Sequence, residues 1–367
     1  MEDERQTALS AAAGADVGTV AKGGAVQIVG QITQRSLLFL FNAVAFRILG
    51  RDLYGLYRVV SQVLSIAGQI GLAGFNYAAM HFIVRARASQ RHGEVKGAIR
   101  VAVVSSLIAS AIVVVGLVVA ADWVSSIFSD PRREESDFLV VLRAGIPYVP
   151  LFALMQVLRY CTQAYKTMVP SVVAGNIVQP AARFILGVGV LAAGAEVLGL
   201  IVTLWVSIDV GAGAAVWSLR RMLTDAERSA AGRANVGAMV RFALPQGGSS
   251  LLGIQALGLG LLVLGAIKGD AAAGLFGIAL SLQGPGTVFL SGIVNIWAPV
   301  VAELHEKRQI ERLESLYQTI TRWVATFSLP VFAALMIQPV LFAELFGGKN
   351  AVDAASAVAI LAVGNVF

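Results

Sequence analysis

Arginines and amides set at helical spacing inside apolar sequence are the side chains with chemistry to perform. From Arg58 the chain places Gln62, Ser65, Gln69 and Asn76 at offsets of 4, 7, 11 and 18 residues. At about 100° per residue these fall within about 60° of one another, a narrow polar stripe on one helix. Gln27, Gln31, Gln34, Arg35 and Asn42 make a second stripe, roughly 100° wide. Gln283, Thr287, Ser291 and Asn295 follow a third, an i, i+4 row. One or two such residues per helix would simply hydrogen-bond helices together. Continuous rows on three helices favour a water-filled cavity.

Arginine tells most about what that cavity would hold. Arg35 lies about 11 residues, roughly 16 Å, from the nearer end of its apolar stretch, close to mid-membrane. Arg183, in a stretch carrying Pro170 and Pro180, is also deep. A guanidinium stays charged and presents a planar fork that suits phosphate oxygens. Arg35, Arg58 and Arg183, with Arg47 and Arg51 at the outer mouth, would form a cationic lumen for an anionic headgroup. Two other readings stand beside this one. Arg183 would be neutralised by Asp209, which lies at similar depth, and Arg47 and Arg58 would snorkel to lipid phosphates. Asp209 is the only carboxylate well inside a span, so it is either that counter-ion or a proton- or cation-coupling group. Arg143, Arg159 and Arg322 lie near span ends and read as interfacial anchors.

These residues need helices to hold them, and the composition supplies membrane helices. Of 367 residues, 57% are hydrophobic and only 14% charged. A soluble domain carries about 25% charged residues. One cysteine, Cys161, excludes a disulfide framework and Cys-based metal sites, and the three histidines are far apart. With a ruler of about 20 residues per crossing, spans are expected at 24–49, 54–84, 97–121, 138–161, 169–193, 196–219, 238–267, 271–302 and 317–338, with a tenth starting near 352. The loops after the even-numbered spans are rich in Arg and Lys, whereas the loop after the third is net acidic. By the positive-inside rule, those basic loops and the N-terminus are cytoplasmic. Arg47, Arg51 and Arg58, around an external turn, are cations on the wrong side and require a reason. Residues 1–22 read as a disordered tail.

The halves repeat. Gly55-Leu56-Tyr57 and Gly274-Leu275-Phe276 each follow an external turn, and Asn76 and Asn295 lie 21 residues beyond. Both pairs are offset by 219 residues. Equal orientation in the two halves is the pattern of a parallel repeat about an axis along the membrane normal. The expected fold is therefore an all-α polytopic membrane protein of about ten spans. Residues 23–219 form one bundle, 220–237 a cytoplasmic linker and 238–367 an incomplete second bundle. Pro147-Tyr148-Val149-Pro150 and Gln283-Gly284-Pro285-Gly286 fit helices that bend around a cavity.

Enzyme signatures are missing. Gly347-Gly348-Lys349-Asn350 lacks the upstream glycine and final hydroxyl of a P-loop. Gly187-Val188-Gly189 lies inside an apolar span and follows no strand. The turn Leu49-Gly50-Arg51-Asp52-Leu53-Tyr54-Gly55-Leu56-Tyr57, with Gly71 to Ala79 and Arg241-Phe242-Ala243-Leu244-Pro245, resembles the oligosaccharide flippases. These are the polysaccharide-transporter branch of the multidrug/oligosaccharidyl-lipid/polysaccharide exporter superfamily. The resemblance implies alternating access between two bundles that turns undecaprenyl-pyrophosphate-linked sugar units across a bacterial inner membrane. No catalytic cofactor and no nucleic acid are expected; coupling to a proton or sodium gradient through Asp209, and polymerase and glycosyltransferase partners, stay open, as does the energy source. Members have twelve or more spans, so this chain reads as a fragment. A cation-coupled multidrug exporter is the rival within transport. A membrane polysaccharide polymerase or ligase, or a transport-inactive envelope partner, are rivals of other classes.

Overall fold

The computed structural model describes residues 2–128, 135–287 and 310–366. Those residues are helical, with no strand among them. The chain runs α1 (Glu2–Leu72), α2 (Phe75–Ala88), α3 (His92–Val119), α4 (Ala121–Ile127), α5 (Glu135–Gly145) and α6 (Tyr148–Gln163). It continues through α7 (Val169–Val172), one widened π segment (Val173–Val178), α8 (Gln179–Ala192), α9 (Val197–Met222), α10 (Asp225–Ser229) and α11 (Val236–Lys268). Beyond these lie α12 (270–287), α13 (Ile310–Ile337), α14 (Pro339–Gly347), a 3-10 turn (Lys349–Ala354) and α15 (Ala355–Val366).

Among the described residues, six helical stretches are long and apolar enough to cross a membrane: Gly23–Ala88, His92–Val119, Asp137–Gln163, Val169–Ala192, Val197–Met222 and Glu314–Ile337. The first is 66 residues long and doubles back on itself. Gly50 breaks α1 with φ 72° and ψ −177°, a left-handed φ that favours glycine. Phe46 and Tyr54 then face each other at 5.4 Å, and Phe41 and Tyr57 at 6.2 Å. In an unbroken helix those pairs would be about 12 and 24 Å apart along the axis. The two limbs of α1 are thus the two antiparallel crossings expected at 24–49 and 54–84. Helix α1 also includes residues 2–22, whose alanine-rich sequence favours helix. Pro339–Gly347, between the expected ninth and tenth spans, is the separate helix α14.

Helix association in a membrane depends on close packing more than on the hydrophobic effect, and glycine sets where α1 meets the second half. A Cβ on Gly55 would lie 1.8 Å from the Asp270 carbonyl oxygen, and one on Gly274 would lie 2.3 Å from that of Arg51. The contact is reciprocal, because Arg51 and Asp270 are themselves 219 residues apart. Gly269, the same distance beyond Gly50, has φ 80° and ψ −175° and begins α12 with the same backbone turn. At the other end of the bundle, Gly74 touches Ala243 and Gly247 of α11 just as closely.

Candidate functional site

The second limb of α1 and the middle of its first limb face α12, and two of the three expected lumen arginines reach across that boundary. Arg35 donates from Nη1 to the Gly284 carbonyl at 3.0 Å and to Thr287 Oγ1. Arg58 lies against Gly277, where an added Cβ would sit 3.1 Å from its Nε. That Nε is buried with no hydrogen-bond partner. Gly277 and Gly284 are two turns apart on one face of α12, so a single helix face receives both guanidinium groups. Arg58 pairs with no carboxylate among the described residues.

The amide rows divide by environment. Gln62 and Gln69 are half-buried, with Gln62 against Gly258 of α11. Asn42 and Asn76 are only 8% and 3% exposed, and each has a buried Oδ1 without a partner. Gln283 departs from the lumen. It is buried, donates to the Val358 carbonyl at 3.2 Å and accepts from Asn365, so it joins α12 to α15. Asn295 lies outside the described residues.

A second cluster escaped the sequence reading. Arg159, taken as an interfacial anchor, is the hub of a network at the π segment. It donates to the Ser171 carbonyl at 3.1 Å, Gln156 Oε1 at 3.0 Å and Asn176 Oδ1 at 2.8 Å. Asn176 passes a hydrogen bond on to Gln34, the neighbour of Arg35, and Gln163 donates to Ser171 Oγ at 2.7 Å. Gly175 admits the guanidinium, since a Cβ there would lie 2.2 Å from Arg159 Cζ. Such widened turns are frequent at functional sites. The available signal was Gly175-Asn176 between two prolines, a weak one.

Arg183 and Asp209 are not paired. Arg183 donates from Nη2 to Tyr57 OH and stands 5.1 Å from the Phe41 ring centroid, an aromatic box behind α1. Asp209 is exposed on α9 beside Val202, Val210 and Trp217, opposite the packed face formed by Leu200, Leu204, Ile208 and Ala215. Equal depth put the two together in the sequence reading; their directions around the helices separate them.

Arg47 and Arg51 have the reason they lacked. Arg47 donates to the Phe346 carbonyl at 3.0 Å and to the Leu345 carbonyl, the exposed end of α14. A cation there meets both the unpaired carbonyls and the negative end of the helix dipole. Arg51 pairs with Asp353 at 3.2 Å. Together they clamp the Gly50 turn to the second half instead of lining an open mouth.

Several apolar spans and two halves in contact across an arginine-bearing boundary define a multi-pass helical membrane protein. The chain belongs to the family described as polysaccharide biosynthesis protein, whose model matches residues 20–305. Its fold is similar to an inward-facing multidrug resistance MATE family transporter of the MOP superfamily. The TM-score is 0.72 at 16% identity, over 93% of this chain and 80% of that one. An outward-facing transporter of the same family gives 0.64 at 15%, over 94% and 77%. A MATE in complex with MaL6 gives 0.63 at 17%, over 94% and 78%. No curated protein matches the sequence.

Proposed function

We propose that this protein flips undecaprenyl-pyrophosphate-linked oligosaccharide across a bacterial inner membrane by alternating access. The observation that carries the reading is the sign of the inter-half boundary. Arg35 and Arg58 project into it, Arg58 has no carboxylate partner among the described residues and a buried Nε–H without an acceptor, and Asp209 faces away. A diphosphate would satisfy the Arg58 Nε–H and neutralise that guanidinium, and its polyprenyl tail would remain in lipid. A cationic drug would meet repulsion there. With the basic loops cytoplasmic, the Gly50 clamp closes the outer side. The higher overlap with the inward-facing transporter supports that state, and the reciprocal Gly55–Gly274 contact supports a two-fold relation of the halves.

The test compares Arg35→Ala and Arg58→Ala in proteoliposomes with a fluorescent polyprenyl-pyrophosphate glycan. Each substitution is expected to slow flipping about tenfold or more, the worth of a charge-assisted hydrogen bond. Unchanged flipping in both variants, or efflux of a cationic dye with no flipping of the glycan lipid, would replace this reading with the multidrug one.

A further inference from the structure

A pocket of about 470 Å³ opens between α2 and α11 at the end of the bundle that carries the basic loops. Nothing in the lumen described above accounts for it. Tyr77, His81, Val84 and Arg85 of α2 line one wall, and Phe242 and Gln246, one turn apart on α11, line the other. His81 stacks on Phe242 at 4.5 Å between centroids and 16° between planes, which fixes the imidazole across the boundary. The close backbone contact of Gly74 with Ala243 and Gly247 joins the same two helices about one turn away along α2.

Charge on this end is distributed unevenly. Arg87 is neutralised by Glu227 at 3.2 Å and Arg91 by Glu94 at 3.2 Å. Arg85 has no carboxylate among the described residues. The pocket therefore combines one unneutralised guanidinium, an imidazole, an amide and a phenol with apolar and aromatic walls. Its volume lies in the range of ligand sites, about 300–1,000 Å³.

We infer that this pocket is a separate loading site for a pyrophosphate head attached to an apolar or sugar group, with Arg85 and His81 on the phosphates. The inference rests on the flippase reading for the identity of the anion. Phosphate oxygens match the Arg85 fork, and Phe242 and Tyr77 offer surfaces for the attached group. Because α2 and α11 belong to different halves, occupancy would bridge them before the anion reaches Arg35.

The experiment uses the full chain in nanodiscs of phosphatidylcholine and measures binding of farnesyl pyrophosphate, inorganic pyrophosphate and farnesol by calorimetry. Farnesyl pyrophosphate is expected to bind; inorganic pyrophosphate, lacking the attached group, more weakly; farnesol not at all. Arg85→Ala combined with His81→Ala should weaken binding at least tenfold. Val84→Trp, which fills the pocket and keeps both polar groups, should do the same. Equal binding by wild type and Val84→Trp would overturn the pocket, as would a loss seen only with Arg35→Ala. Flipping of a glycan lipid distinguishes the two readings. Binding that follows this pattern without any flipping would refute the flippase and keep the site; flipping at wild-type rate in Val84→Trp would refute the site and keep the flippase.

Discussion

The two ends of the bundle join the same halves by different means. At the Gly50 end the halves meet backbone to backbone: Gly55 faces Asp270, Gly274 faces Arg51, and Arg47 caps α14. At the basic-loop end, away from the Gly74 contact, side chains with space between them make the join, including the His81–Phe242 stack and the pocket. The first arrangement leaves no room for even one methyl group, whereas the second leaves a cavity of about 470 Å³. A transporter caught with one end sealed and the other available would show this asymmetry.

The largest expected effect breaks the sealed end. Gly55→Val places a Cβ where the Asp270 carbonyl stands. Backbone atoms cannot rotate aside, so the halves must separate or the helices shift, at a cost of about 3 kcal/mol. Spin-label distances between the Gly50 turn and α14 should lengthen by several ångströms. If they stay unchanged, this contact does not hold the end shut. Gly248→Val, where an added Cβ meets open space, is the control at the other end and should leave the distances as they were.

The next effect is smaller, because only side-chain bonds are lost. Arg47→Ala removes two donors from the last carbonyls of α14 and should cost about 2 kcal/mol, read as a lower unfolding temperature. Arg47→Lys should recover only part of it, since an ammonium cannot span two carbonyls as a planar fork does. Full recovery by lysine would mean that charge alone matters there.

Span positions were legible because about 20 apolar residues are a coarse length that no packing detail can hide. The reversal at Gly50 was legible because glycine and flanking charges interrupt that length. The azimuth of a charged residue was not. Arg183 and Asp209 share a depth, but Asp209 sits among Val202, Val210 and Trp217, on the side of α9 away from its packed face. Arg159 was misplaced because the π segment turns the chain toward it, and nothing in Val173-Ala174-Gly175-Asn176 announces a widened turn. Arg47 looked like a breach of the positive-inside rule until α14, hidden in a short segment, supplied the carbonyls it caps.

The smallest effect concerns the basic-loop end, where a buried carboxylate holds the linker in place. Glu227 is 2% exposed and accepts from Arg87 Nε at 3.2 Å, Tyr165 OH at 3.1 Å and the Thr224 backbone N–H at 2.9 Å. Burial alone would raise its pKa, but the hydrogen bonds from Thr224 and Tyr165 and the charge of Arg87 outweigh burial and hold it below the ordinary carboxylate value. A carboxyl whose folded pKa is depressed stabilises the fold above its unfolded pKa and loses that contribution as pH falls through the folded value. The wild type should therefore lose stability from about pH 4.5 downward, while Glu227→Gln should show a shallower decline there. At neutral pH Glu227→Gln should cost about 1 kcal/mol, the difference between a charged and a neutral hydrogen bond, visible as a small drop in unfolding temperature. The Gly50 end supplies the contrast: Asp353, exposed and bonded only to Arg51, should leave the acid limb almost unchanged when replaced by Asn. An equal change from both substitutions would mean that the linker carboxylate is no better held than a surface one, and that the basic-loop end depends on the Gly74 contact alone.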